Sequence, residues 1–257
     1  MTLEQIDELF TQTLTGDYDD DAPWEAVGKL HRLGIRRVFE RAAEWCASES
    51  PLKRARGADV LAQIGVSADH PHNSFPEESY AIVSGLAEQE KDPLPLLASI
   101  HALGHIGNPL AVPLVIEKRP HEDSDVRFAV ACALGCFADD PRAAQALMEL
   151  TQDTDEDVRD WATFGLGVLG QVDSPEIREA LVTRLSDTNS DVREEALVGL
   201  AKRKDRRAIP VLIGELSQGD LSVRLREASE AFLGEGEERP EWGAHEFAEA
   251  LRAYLTL

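Results

Sequence analysis

A short phrase recurs along this chain and constrains what it can become. It is clearest in DEDVRDWATFGLGVLG from Asp155, and it returns as DSDVRFAVACALGCFA from Asp123, NSDVREEALVGLAKR from Asn189 and DLSVRLREASEAFLG from Asp220. The Val-Arg steps set Arg127, Arg159, Arg193 and Arg224 apart by 32 residues (127 to 159), 34 (159 to 193) and 31 (193 to 224). A period of that size in otherwise dissimilar sequence marks a repeat array, in which each unit buries its apolar side against its neighbours. Val126, Val158, Val192 and Val223, with Ala and Leu three, four and seven positions on, make the buried stripe of a helix. Gly135 and Gly167, each eight residues after the arginine, allow close approach of the next helix. The aspartate two residues before the arginine is suited to cap its helix and to accept from an arginine of an adjacent repeat. Because they repeat, these Asp-Arg pairs read as structure and not as catalysis. The expected fold is all-α, a right-handed α-α superhelix of about seven helix pairs.

Composition narrows the function. Lys and Arg number 26 against 48 Asp and Glu, a formal net charge of −22 over 257 residues. A chain this acidic repels phosphate backbones unless its basic residues are segregated, so nucleic acid is not an expected partner. A basic protein is attracted and steered instead, although the same excess also serves solubility. No apolar run reaches the roughly 18 to 20 residues of a membrane span. The opening MTLEQIDELFTQTL lacks a basic segment followed by an apolar one, and the three cysteines suggest no disulfide framework. The expectation is a soluble cytoplasmic protein, monomeric when free, without membrane contact.

Taken in order, residues 1–257 read as one solenoid. An N-terminal cap and first pair occupy 1–48, with an acidic turn at TGDYDDD and helices at Trp24–Leu33 and Ile35–Ala47 broken by Gly34. Repeats fill 49–234, opening at Ser50-Pro51, with a loop insertion near 66–76 (VSADHPHNSFP). In PLPLLASIHALGHIG from Pro93, Leu96 takes the arginine position. Asp or Ser before Pro, at Asp140 and Ser174, marks further helix starts. An acidic link and a closing helix, His245 to Leu257, form a C-terminal cap over 235–257.

Asp-x-Asp-Val-Arg-x-x-Ala with a following Leu-Gly, together with helices such as RRAIPVLIGEL from Arg206, resembles the short HEAT repeats of the phycobilisome-lyase type. The segments AEWCASESPLKRARGADVLAQIG from Ala43, DVRDWATFGLG from Asp157 and EIREALVTRLSDTNSDVREEALVGLAKRKDRRAIPVLIGEL from Glu176 are similar to the HEAT-repeat immunity proteins encoded beside Rhs polymorphic toxins. That resemblance implies a non-enzymatic antitoxin, without cofactor, that neutralises a basic toxin domain. It departs from Ser67 to Glu90 and at the C-terminal end. The alternatives are a general HEAT scaffold or chaperone-like adaptor and a bilin lyase-type subunit.

The resemblance also implies that the helix carrying Val-Arg lines the concave face. Offsets just before the valine and at one, two, five and nine after the arginine then select Phe128, Asp157, Asp160, Trp161, Phe164, Asp191, Glu194 and Glu195 as partner-binding residues. Trp161 and Phe164 are either anchors ringed by carboxylates or aromatics buried between helices. The same offsets set His101 beside Cys132 and His105 beside Cys136, a possible Cys2His2 zinc set if the side chains converge. His121-Glu122 and His245-Glu246 are similar to the His-Glu pairs of HEAT-type deoxyhypusine hydroxylases. They fall in a connection and a cap, so a di-iron centre is not expected. HEAT-like DNA glycosylases use a basic cleft, which this charge does not supply.

Overall fold

The computed structural model describes residues 2–234 and 241–256, and no strand occurs among them. Most of the acidic link, residues 235–240, and Leu257 of the closing helix lie outside the described residues. The chain packs as two compact units, Met1–Phe137 and Ala138–Leu257.

In the first unit α1 (Leu3–Gln12) packs on α2 (Asp21–His31), and α3 (Arg36–Cys46) on α4 (Pro51–Ala62). Next, α5 (Pro76–Gln89) packs on α6 (Pro93–Ile106), and α7 (Val112–Glu117), entered through a 3-10 turn at Pro109–Ala111, on α8 (Ser124–Gly135). One layer is made by α4 against α6 and α6 against α8, the other by α3 against α5 and α5 against α7. The expected first pair, Trp24–Leu33 with Ile35–Ala47, does not form as such. Ile6 and Phe10 give α1 a buried stripe, which α2 covers, leaving α3 to pair with α4.

In the second unit α9 (Pro141–Leu150) packs on α10 (Glu156–Phe164), and α11 (Pro175–Arg184) on α12 (Ser190–Lys202). A 3-10 turn at Arg206–Ala208 leads into α13 (Ile209–Leu216), which packs on α14 (Val223–Leu233), and α15 (Ala244–Leu255) closes over both. The layers repeat the first unit's pattern, with α10 against α12 and α12 against α14. The described helices thus form seven pairs plus α15, an α-α solenoid arrangement within each unit.

The conserved geometry of each repeat comes from its turn. Ser50, Asp123, Asp155, Asn189 and Ser222 each precede a helix and accept a backbone N–H from its first turn. Such a cap satisfies donors that the helix itself cannot. The expected caps, Asp125, Asp157 and Asp191, instead lie inside the first turn and supply the N–H that the true cap binds. Four residues after the cap, an arginine reaches back to two carbonyls. Arg54 Nη1 donates to Ser48 and Glu49, Arg127 to His121 and Glu122, Arg159 to Asp153 and Thr154, and Arg193 to Asp187 and Thr188, all at 2.9 to 3.2 Å. A carboxylate from the following repeat completes the lock: Glu90 and Asp92 for Arg54, Asp187 for Arg159, Glu215 for Arg193.

This register corrects the last repeat. Counting four from Ser222 gives Arg226, not Arg224. Val126, Val158 and Val192 are buried as expected, but Val223 is 83% exposed and Leu225, at 3%, takes its place in the core. The insertion near 66–76 is irregular and is tied down by Asn73, whose Nδ2 donates to the Leu61 carbonyl at 2.7 Å while its Oδ1 accepts from Phe75 N at 2.8 Å.

Candidate partner-binding face

The second unit gathers seven of the eight proposed contact residues on α10 and α12. Trp161 is 39% exposed, and its ring meets that of half-buried Phe164 edge-on, with centroids 5.6 Å apart. The two readings of these aromatics therefore divide, with Trp161 on the surface and Phe164 largely covered. Asp157 and Asp191 are exposed beside them on the same layer. Glu194 is half-buried and accepts a hydrogen bond from Ser222 Oγ at 2.6 Å.

Asp160 is the unusual member. Its Oδ1 is buried and has no hydrogen-bond partner among the described residues. Burial first, and then the carboxylates of Asp191 and Asp157, push its pKa above the ordinary aspartate value against the pull of Arg224. An acceptor left unmet in a site of lowered dielectric costs free energy until a donor arrives.

Glu195 does not belong to the exposed set. It is 1% exposed, because neighbouring helical positions diverge by about 100° and Glu194 already takes the outward direction. Its carboxylate pairs with Arg224 Nε, while Arg224 Nη1 lies 3.5 Å from Asp191 Oδ1. Burial outweighs that pairing and lifts the Glu195 pKa to about 7. Arg224, displaced from the repeat lock, is thus free in sequence to serve this carboxylate group instead.

The element under Trp161 and Phe164 is itself irregular. Immediately after α10 the backbone widens into a π turn, Gly165–Leu169, closed by Gly170 N donating to Gly165 O at 3.0 Å. Arg203 gathers the carbonyls around it: Gly167, Gly199, Leu166, Gly170 and Val172, at 2.8 to 3.1 Å. Nothing in the repeat pattern marks Arg203, since the corresponding positions in the phrases from Asp123 and Asp155 hold Phe137 and Leu169. The close approach expected of Gly167 is present, for a Cβ on Gly199 would lie 2.7 Å from Gly167 Cα.

The eighth residue, Phe128, lies on α8 in the first unit, half-buried, with its ring edge to His101 and centroids 6.2 Å apart. The proposed zinc set does not close. Among the described residues no three His, Cys, Asp or Glu side chains gather as a metal ion requires. His101 instead faces Phe128, and the Cys136 sulfur packs against the helix at Gly104, 3.5 Å from where a Cβ would stand. Burial raises the thiol pKa of Cys132 and Cys136, the opposite of what a thiolate ligand needs. His121 lies in the turn before α8, its Nδ1 accepting from Asp123 N at 3.1 Å, and His245 is exposed on α15.

The model for HEAT repeats matches residues 80–167 and 164–232. The chain belongs to the HEAT-repeat family. Protein YibA of Escherichia coli (strain K12) is 28% identical over 229 residues, covering 87% of this chain and 79% of that protein. The X-ray structure of E. coli YibA aligns with a TM-score of 0.72 at 24% identity, over 98% of this chain and 94% of that one, a likeness of fold. The complex of CpcE and CpcF of phycocyanin lyase from Nostoc aligns at a TM-score of 0.44 and 17% identity, over 90% of this chain and 82% of that one. No helix among the described residues is long and apolar enough to cross a membrane.

Proposed function

We propose that this HEAT-repeat chain is a non-enzymatic binding protein whose α10–α12 face takes a basic protein partner. The observation that carries the reading is the unmet Asp160 oxygen beside exposed Trp161, on a surface that also holds Asp157, Asp191 and Glu194. An aromatic anchor at the centre of a carboxylate-rich patch suits a partner presenting Lys or Arg, with the charges aiding encounter and the ring supplying contact energy. Phe128 is proposed as a further contact residue on α8.

The finer reading is immunity. The likeness of the segments from Ala43, Asp157 and Glu176 to HEAT-repeat immunity proteins supports a cognate Rhs-type toxin domain as that partner, neutralised by being bound. The test is affinity capture from lysate of the source cells at low salt, elution at high salt, and expression of the captured domain with and without this chain. A basic domain that binds one-to-one and arrests growth unless this chain is present supports immunity. A captured protein that harms no cell supports an adaptor role, and binding indifferent to both salt and Trp161→Ala removes the face from consideration.

A further inference from the structure

A recess of about 270 Å³ lies wholly within the first unit, where α2, α4 and α6 meet the acidic turn at residues 15–21. That volume suits a group the size of an amino-acid side chain. Asp59 of α4 forms one wall. It is 6% exposed, and its two oxygens accept from the Tyr18 hydroxyl at 2.9 Å each, with Arg56 Nη1 at 3.2 Å from Oδ2.

Arg56 does not itself line the recess. Its remaining donors go to the carbonyls of Thr13 and Tyr18, at 2.9 and 2.6 Å, and its guanidinium stacks at 4.1 Å from the Tyr18 ring centroid and 5.1 Å from that of Trp24. The lining therefore holds carboxylates, at Asp59 and Asp19, and aromatic rings, at Tyr18 and Trp24, but no lysine or arginine. His31, His101 and His105 complete the wall. His31 Nε2 lies 2.8 Å from the Asp59 carbonyl, which can only accept, so in the neutral ring Nδ1 keeps a lone pair. Burial lowers the pKa of all three imidazoles, His101 to about 4, which keeps them uncharged at neutral pH.

The chemistry of the lining selects its occupant. An anion finds the Asp19 and Asp59 carboxylates and no lysine or arginine in the lining, and a hydrocarbon leaves the His31 Nδ1 lone pair unmet, although Asp59 already accepts from Tyr18 and Arg56. A cation with N–H donors meets carboxylate, imidazole lone pairs and the face of an indole together. We propose that this recess binds a protonated amine or a guanidinium group. The group belongs either to a small free amine or to a Lys or Arg side chain of a bound protein, and the proposal does not rest on the α10–α12 face.

The experiment is a titration of the full chain, at constant ionic strength, followed by imidazole resonances. The probes are n-butylammonium, ethylguanidinium, the capped peptide acetyl-Ala-Lys-Ala-amide and, as a neutral control, n-butanol. The expected result is a saturable shift at His31, His101 and His105 but not at His70 or His245, with n-butanol inert. Trp24→Ala should weaken binding about fivefold, the scale of a partly exposed cation–π contact, and Asp19→Asn, at an exposed position, should weaken it in a fold that is not disturbed. Binding of the peptide assigns the recess to a protein side chain; binding of n-butylammonium without the peptide assigns it to a free amine. No saturable shift with either cation, an equal response to n-butanol, or unchanged affinity in both folded variants overturns the proposal.

Discussion

At the scale of the residue, Arg159 shows how a side chain that reads as chemistry is structure. Its guanidinium donates four hydrogen bonds, to the Asp153 and Thr154 carbonyls and to both oxygens of Asp187. Replacing it with alanine takes the donor from two carbonyls and leaves the largely buried Asp187 carboxylate to Arg184 and the Asn189 N–H alone, so Arg159→Ala should cost about 2 to 4 kcal/mol by urea unfolding. Glu195 carries a pH signature. With its folded pKa raised from 4.5 to about 7, its contribution to stability is full below pH 4.5 and is lost as pH rises through 7. Glu195→Gln lacks that loss. Its stability relative to the natural chain should therefore climb across that window, by on the order of 2 kcal/mol, and parallel stability curves would show that the carboxyl is not perturbed. Trp161→Ala should weaken partner binding by roughly 2 kcal/mol with little change in melting temperature, whereas a large fall in melting temperature would mark the ring as core.

At the scale of the element, helix starts were legible because caps, Pro at the first turn and the Val-Arg phrase agree. What the pattern concealed was phase. Arg224 matches the phrase by letters, yet Ser222 caps α14 and puts Arg226 at the register position of the lock arginines, where its Nη2 donates to the Trp242 carbonyl at 3.0 Å, because capping depends on where the helix begins and not on which dipeptide is repeated. Glu195 was misplaced for a related reason, since an offset rule cannot say which of two adjacent carboxylates points outward. The π turn after α10 was invisible too, as its own carbonyls at Leu166 and Gly167 are gathered by Arg203, which arrives from the end of α12. Arg203→Ala should unfold at lower urea and lose the ordered Trp161–Phe164 contact, visible as a weaker near-ultraviolet circular dichroism signal. Gly199→Ala pushes a methyl against the Gly167 backbone and should cost about 1 to 3 kcal/mol by the same measure.

At the scale of the whole molecule, the repeat period made the solenoid class readable, while the division into two compact units and the polar recess behind the acidic turn were not. The recess draws on residues 18 to 105, and no local spacing announces Tyr18, Asp59 and His101 as neighbours. The net charge of −22 has its own consequence: the folded chain repels itself, and salt relieves that repulsion. Melting temperature should rise between about 10 and 300 mM sodium chloride, while affinity for a basic partner falls over the same range; a falling melting temperature would mean that ion pairs outweigh the repulsion. The arginine lock, finally, bears on how such a chain changes length over generations. Each lock arginine takes two carbonyls from its own turn, and Arg54, Arg159 and Arg193 take a carboxylate from the turn or helix that follows. A block of one period, duplicated or lost in phase, carries the two carbonyls of its fastening with it, while the carboxylate can come from a turn, as Asp187 does for Arg159, or from a helix, as Glu215 does for Arg193. Lineages can therefore lengthen or shorten the array by whole repeats without reinventing the joints.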